Sequence, residues 1–205
     1  MSLKIYGFSR SRAFRSIWMA EEIKAAKGQD FEHDGRFFGD GELKNTLLQL
    51  NPMGQVPVID DDGFVLAESM AINCYLAKKY GVLAPTSLEQ EAKALQWSFW
   101  VMTAVETAAL DYLNYAFGIM GAEIDEEKAA EVAQKFERPF GVLENHLKNS
   151  PYLVGDEFTV ADLNVAGVFM WVASGEGNLD AYPMISKWLQ SCLGRQAALD
   201  ARSSE

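Results

Sequence analysis

The sequence predicts two domains of different class, an α/β domain over residues 1–80 followed by an all-helical domain over residues 88–205. Strand-like and helix-like patterns alternate through the first 80 residues, whereas every periodic segment after them repeats at helical spacing. Between them, Gly81 to Ser87 breaks the periodicity and reads as a linker, with Gly81 and Pro85 as its punctuation. The charge divides at the same place. Residues 1–80 carry 10 Lys+Arg and 11 Asp+Glu, the rest 8 and 18, so the helical part holds −10 of the total −11.

The elements follow in order. Leu3-Lys4-Ile5-Tyr6 alternates and predicts a strand. Ser11 to Lys27 predicts a helix with Phe14, Ile17 and Trp18 on one face and Gly28 past its end. Asp30 to Asp34 predicts a second strand, and Glu42 to Leu50 a short helix ending before Asn51-Pro52. Val56 to Ile59 and Phe64 to Leu66 predict two strands joined through Asp60-Asp61-Asp62-Gly63, whose Asp-Gly step is a hairpin signal. Glu68 to Tyr80 closes the unit as a helix through Ile72, Tyr75, Leu76 and Tyr80. Beyond the linker, Glu89 to about Phe117 is apolar on several sides, as befits a helix buried between partners. Glu126 to Asn149 is periodic through Val132, Phe136, Phe140, Leu143 and Leu147, with Pro139 expected to kink it. Thr159 to Val172 is the next helix, Thr159 and Asp162 forming a capping box at its start. Shorter helices near Tyr182–Leu193 and Gln196–Ala201 finish the chain.

Composition limits the function classes. At 49% hydrophobic, with 12 Phe, 7 Tyr and 5 Trp, the 205 residues can bury a sizeable core. No apolar run approaches the roughly 18–20 residues that cross a bilayer, so no membrane partner is expected. Met1-Ser2-Leu3-Lys4 leads into a strand without a signal-peptide pattern, and the expected location is the cytoplasm. Cys74 and Cys192, in apolar helical contexts, are expected to be reduced and buried. An acidic helical half argues against nucleic acid, which needs a basic face. Lys4, Arg10, Arg12 and Arg15 leave room for a local anion site near the N-terminus. His33 and His146 lie far apart in the chain, and no metal site is expected.

Three segments carry candidate chemistry. In Asn51-Pro52-Met53-Gly54-Gln55-Val56-Pro57 a proline enters a strand without an N–H for the ladder. Were the Val56–Pro57 bond cis, Val56 would turn its main-chain groups outward, where an extended peptide pairs as an extra strand. The alternative is a trans proline at an edge. Glu68-Ser69 opens a helix whose amides, with the Ser69 hydroxyl, suit a carboxylate, while Glu68 suits an ammonium. An α-amino acid head, such as a γ-glutamyl group, satisfies both; alternatively Ser69 only caps the helix. In the turn Phe8-Ser9-Arg10-Ser11-Arg12, a hydroxyl faces the cleft at the carboxyl end of the first strand. Ser11 there can donate to a thiolate, Ser9 is its competitor, and simple turn or cap roles remain open for both.

As an ordered set these segments resemble the glutathione S-transferase family, and the resemblance covers nearly the whole chain. It rests on Ser11 with Arg15, on Asn51-Pro52-x-Gly54-x-Val56-Pro57, and on Glu68-Ser69. It extends to Pro151-Tyr152-Leu153-Val154-Gly155-Asp156-x-Phe158-Thr159-Val160-Ala161-Asp162. The resemblance implies a thioredoxin-like domain followed by a helical bundle. It implies a cis bond at Pro57, Val56 paired to the cysteinyl backbone of glutathione, and Glu68 and Ser69 on the γ-glutamyl end. Among the family's types the chain is similar to the serine one, with Ser11 as the catalytic hydroxyl; tyrosine-type members use a Tyr at the end of the first strand, and Tyr6 is nearby. It lacks the cysteine of cysteine-type members and the Ser-Ser-Cys run of the maleylacetoacetate isomerase branch. For the glycyl carboxylate the sequence offers Lys44 and Gln55, of which Gln55 is preferred. An apolar second-substrate site would draw on Phe8, Trp97, Trp100 and Tyr112, although such an aromatic stripe at helical spacing is more often core. The resemblance thus implies conjugation of glutathione, as cosubstrate, to a small hydrophobic electrophile by a homodimer. A non-catalytic binding or regulatory member, or a glutathione-dependent isomerase, dehalogenase or peroxidase, stands as the alternative.

Overall fold

The structure, a computed structural model, describes residues 2–36, 41–173 and 179–204. It divides into two compact units, Met1–Ala84 with Gly194–Glu205, and Pro85–Leu193. The expected helical domain over 88–205 is therefore corrected at its end, because the last helix packs on the first one.

In the first unit β1 (Leu3–Tyr6), β2 (Glu32–Asp34), β3 (Val58–Asp61) and β4 (Phe64–Ala67) form one sheet in the order β2-β1-β3-β4. β1 and β2 run parallel, and the other pairings are antiparallel. The Asp-Gly signal is met by a two-residue turn with φ 52° at Asp62 and 89° at Gly63, left-handed at both positions as a type I′ hairpin requires. Ile5 opposite Ile59 and Tyr6 opposite Val58 alternate between the two faces of the sheet. On one face Ile5 and Ile59 are fully buried beneath α1 (Ala13–Lys27) and α3 (Ser69–Tyr80). On the other, Tyr6 and Val58 form a smaller core with Leu47 of α2 (Gly41–Leu50). Cys192 is buried, but Cys74, expected to be buried, is half-exposed on α3; both are free thiols.

α10 (Gln196–Ser203) completes this unit against α1. Just before it, Arg195 grips Glu22 with two bonds of 2.6 and 2.7 Å, and the Trp18 indole N–H adds a third at 3.0 Å. The charge-assisted fork is the strong kind of hydrogen bond, and Glu22 is buried.

The second unit is helical. α4 (Leu88–Val101), a π-helical stretch over Met102–Glu106 and α5 (Thr107–Phe117) realise the long apolar helix. α6 (Glu126–Gln134) and α7 (Glu137–Leu147) occupy the segment expected to be one kinked helix. The chain breaks at Lys135–Phe136, placing Pro139 third in α7, where a missing N–H removes no intrahelical bond. α8 (Val160–Val172) is buried along nearly its whole length, with α4, α5 and α9 (Pro183–Leu193) packed on it. Its capping box forms as expected: Asp162 accepts from the Thr159 N–H at 3.1 Å, and Thr159 Oγ1 from the Ala161 N–H at 3.3 Å. Asp162 also accepts from the Leu153 N–H and the Trp188 indole, both at 3.0 Å, so the box ties two distant segments to the helix start. Among the described residues no helix is long and apolar enough to cross a membrane.

Candidate functional site

The site is built from three chain reversals at one end of the sheet. Gly7 follows β1 with φ 129°. A Cβ there would lie 2.7 Å from the Ala13 Cβ and 2.8 Å from the Val56 Cβ. Only glycine lets the β1–α1 turn, the start of α1 and the loop before β3 close on one another. The turn is held from β2, where the Asp34 carbonyl accepts the Gly7 N–H at 3.0 Å and His33 Nε2 donates to the Gly7 carbonyl at 2.8 Å. His33 is thus a strut of the turn. The other histidine, His146, plays the same part in the helical unit, donating to the Tyr152 carbonyl at 3.0 Å.

Ser11 sits half-buried in this turn, two residues ahead of α1. Its hydroxyl donates to the Phe8 carbonyl at 2.7 Å and accepts the Ala13 N–H at 3.1 Å. The side chain therefore caps α1 from outside the helix, one of the roles the sequence leaves open for it. A hydroxyl hydrogen turns freely about its C–O bond. A thiolate brought to this oxygen would compete well with the neutral Phe8 carbonyl, because hydrogen bonds to ions are about twice as strong. The dipole of α1 acts in the same direction. Ser9 is half-buried in the turn itself. Tyr6 is 8% exposed, its ring packed with Leu47 and Val58, so its place is in the core.

The second reversal carries Val56 and Pro57. Their peptide bond is cis, as the resemblance implies. β3 begins at Val58, so the Val56 N–H and carbonyl lie outside the sheet ladder, and among the described residues neither is hydrogen-bonded. Buried Asn51 shapes the loop: Nδ2 donates to the Gln55 carbonyl at 3.0 Å, and Oδ1 accepts the Met53 N–H at 3.1 Å. Gln55 is exposed beside Val56, and Lys44 is exposed on α2.

The third reversal joins β4 to α3. Glu68 has φ 72° and ψ 109°, a conformation strongly disfavoured for a side-chain-bearing residue, and gives α3 no side-chain cap. The first main-chain bond of α3 runs from the Ile72 N–H to the Glu68 carbonyl, leaving the N–H groups of Ser69, Met70 and Ala71 without intrahelical partners. Ser69 is 4% exposed, and its hydroxyl accepts a bond of 3.2 Å from Nη1 of Arg15, which is fully buried. In the sequence Arg15 stands out only through the Ser11–Arg15 pattern and as one of four basic residues near the N-terminus. Its partner lies across α1 and α3, too far along the chain for spacing to disclose. His33 escapes for the same reason, its partner Gly7 standing 26 residues away, whereas the bonds of Asn51 are local and Asn before Pro is a recognised turn signal.

The aromatic candidates are spread more widely. Phe8 is half-buried in the Ser11 turn. Trp97 is 6% exposed, packs edge-on against Trp100 and His146, and donates its indole N–H to the Leu153 carbonyl at 3.1 Å. Trp97, which the sequence offers as a substrate-lining residue, is thus packed into the helical unit. Trp100 stacks on Phe169, and Tyr112 meets Phe117 and Phe136 edge-on; both are half-buried. A cavity of about 340 Å³ in the helical unit, bordered by Glu89, Lys93, Trp97 and His146, involves none of Ser11, Val56, Glu68 or Ser69.

Comparison with known proteins bears on the whole chain. The family model for the glutathione S-transferase N-terminal domain matches residues 1–78, and that for the C-terminal domain matches residues 100–196. A glutathione S-transferase of Hyoscyamus muticus is 30% identical over 211 residues, covering 96% of each chain. The solved structure of glutathione S-transferase I from mais in complex with an atrazine glutathione conjugate is 27% identical. It covers 98% of this chain and 96% of its own, with a TM-score of 0.83. Mouse elongation factor 1-gamma is 26% identical over 90% of this chain, which spans 42% of that protein's length.

Proposed function

The chain belongs to the glutathione S-transferase family, and on that footing we propose that it conjugates the thiolate of glutathione to a small apolar electrophile. The observation that carries this reading is the meeting, at one end of one sheet, of the Ser11 turn, the Val56 main chain and the open start of α3. In the proposed complex Val56 pairs through its N–H and carbonyl with the cysteinyl residue, as a short added strand. The N–H groups and hydroxyl at Ser69 receive the γ-glutamyl carboxylate, Glu68 meets its ammonium, and Gln55 lies toward the glycyl end.

Ser11 is the proposed activating residue. An unperturbed thiol, with pKa about 8.5, is mostly protonated at neutral pH. A bond from the Ser11 hydroxyl and the dipole of α1 stabilise the charged sulfur only, which lowers that value and raises the share of nucleophile. Burial of the Tyr6 ring favours Ser11 over Tyr6 in this role. Phe8, Trp100 and Tyr112 stand as proposed contacts of the apolar co-substrate. A homodimer and a cytoplasmic location complete the reading. Exposed Leu88, Leu95 and Phe99, which fall along one face of α4, support the former.

An ultraviolet pH titration of bound glutathione tests the proposal, comparing the intact protein with Ser11→Ala, Ser9→Ala and Tyr6→Phe. The bound thiol is expected to ionise at least about one unit below its free value, a shift of roughly 1.4 kcal/mol. Only Ser11→Ala should remove that shift while glutathione still binds. Binding with an unshifted thiol would sink the catalytic reading. The likeness to elongation factor 1-gamma then favours the second reading, a binding module of this fold.

A further inference from the structure

We infer that Arg15 is a positioning residue for the γ-glutamyl carboxylate, acting through Ser69. This rests on the proposed placement of glutathione and adds a residue to it. Arg15 lies on α1 and Ser69 on α3, and the guanidinium reaches across their packed interface to the serine oxygen at 3.2 Å. Both residues are more than nine-tenths buried.

The chemistry follows from the donor inventory. A guanidinium can only donate, so Ser69 Oγ is the acceptor in this pair. A hydroxyl has one hydrogen, and with Arg15 occupying a lone pair that hydrogen is directed elsewhere. The group that profits is a carboxylate beside the uncapped N–H groups of Ser69 and Met70. Donation from a cation also polarises the O–H bond, so the serine becomes a better donor than an isolated hydroxyl. The left-handed backbone of Glu68 belongs to the same device, since it sets where the Ser69 N–H and side chain begin.

Arginine suits this place where lysine does not. Its planar fork holds direction within a packed interface, whereas an ammonium on a flexible stem is a point charge that seeks water. Arg15→Lys therefore keeps the charge and loses the aim.

The test is a pair of calorimetric titrations on the full chain, one with glutathione and one with γ-aminobutyryl-cysteinylglycine. The latter keeps the cysteinylglycine part and lacks the α-carboxylate. Arg15→Lys is expected to weaken glutathione by at least about tenfold, or 1.4 kcal/mol, and to leave the analogue unchanged. Ser69→Ala should show the same selectivity, and the double variant should be no weaker than the worse single one. A merely structural role lowers both affinities by one factor, since loss of folded protein is blind to the ligand. Equal losses, or additive losses in the double variant, would therefore overturn the inference. If Arg15→Lys yields no folded protein, Arg15→Gln, which keeps a donor amide without the charge, is read by the same ratio. If the unaltered protein binds both ligands equally, the carboxylate is not held at Ser69, and the fault lies with the placement of glutathione itself.

Discussion

Two helix starts in this molecule treat their free N–H groups in opposite ways. At α8, Thr159 and Asp162 answer each other in a closed box, and Asp162 further gathers the Leu153 N–H and the Trp188 indole. At α3, Glu68 offers no side-chain cap, its backbone is forced to positive φ, and the serine that follows is turned toward a buried arginine. The first arrangement satisfies donors from within and fixes the fold. The second leaves main-chain donors without an acceptor among the described residues, as the proposed binding of the γ-glutamyl carboxylate requires. A helix N-terminus attracts anions in either case, so what separates a structural start from a binding one is whether the chain supplies its own acceptor.

Opening the closed start should have the largest effect. Asp162→Ala strands several buried donors and is expected to cost about 3 kcal/mol, seen as a lower urea midpoint with an unchanged slope. Burial pushes the Asp162 carboxyl up, against the bonds that pull it down. A folded-state value above the unfolded one gives stability that is full below the ordinary aspartate value of about 3.9 and lost as pH rises through the folded value. The stability of the intact protein relative to Asp162→Asn should therefore fall as pH rises from about 4. A rise over that range would overturn the assignment.

The buried fork between Glu22 and Arg195 comes next. Glu22→Ala leaves the Trp18 indole and the guanidinium short of an acceptor, and should cost about 2 kcal/mol by the same denaturation. At the open start the sign reverses. Glu68→Gly relieves the strained backbone and is expected to stabilise by about 1 kcal/mol. The same change should weaken glutathione in calorimetry, through loss of the carboxylate proposed to meet the ammonium. The smallest effect belongs to a third helix start. Pro139 lies in the first turn of α7, so Pro139→Ala should lower stability by less than about 1 kcal/mol. A gain near the ~3 kcal/mol of an interior proline would mean that the helix runs through Lys135 and Phe136 after all.

These starts also mark how far the sequence could be read. The capping box, the Asp-Gly hairpin and the element order are local patterns, and they appear in the structure at or near their expected positions. Pro139 was visible as a disturbance, but the choice between a kinked helix and two helices depends on where the chain re-caps, which a periodic pattern does not encode. The positive φ of Glu68 carries no sequence signal, since glutamate is no marker for that region. Arg15 on Ser69 and Arg195 on Glu22 are contacts between residues far apart in the chain, visible only once helices have packed. Trp97 matches the residue type of a ligand pocket, and no local pattern announces that its indole holds the Leu153 carbonyl.

The return of α10 to the first unit has a consequence for synthesis. The unit that carries Ser11, Val56 and Ser69 is interrupted by Pro85–Leu193, and the arginine that clamps its first helix comes after the interruption. On a ribosome adding about 5–20 residues each second, that clamp cannot close until several seconds after the sheet has been made. During the interval the face of α1 that α10 will cover, Phe14 beneath Arg202 included, waits in solvent. A nascent chain halted before Arg195 should therefore be cut by protease within α1 more readily than one released past Ser203.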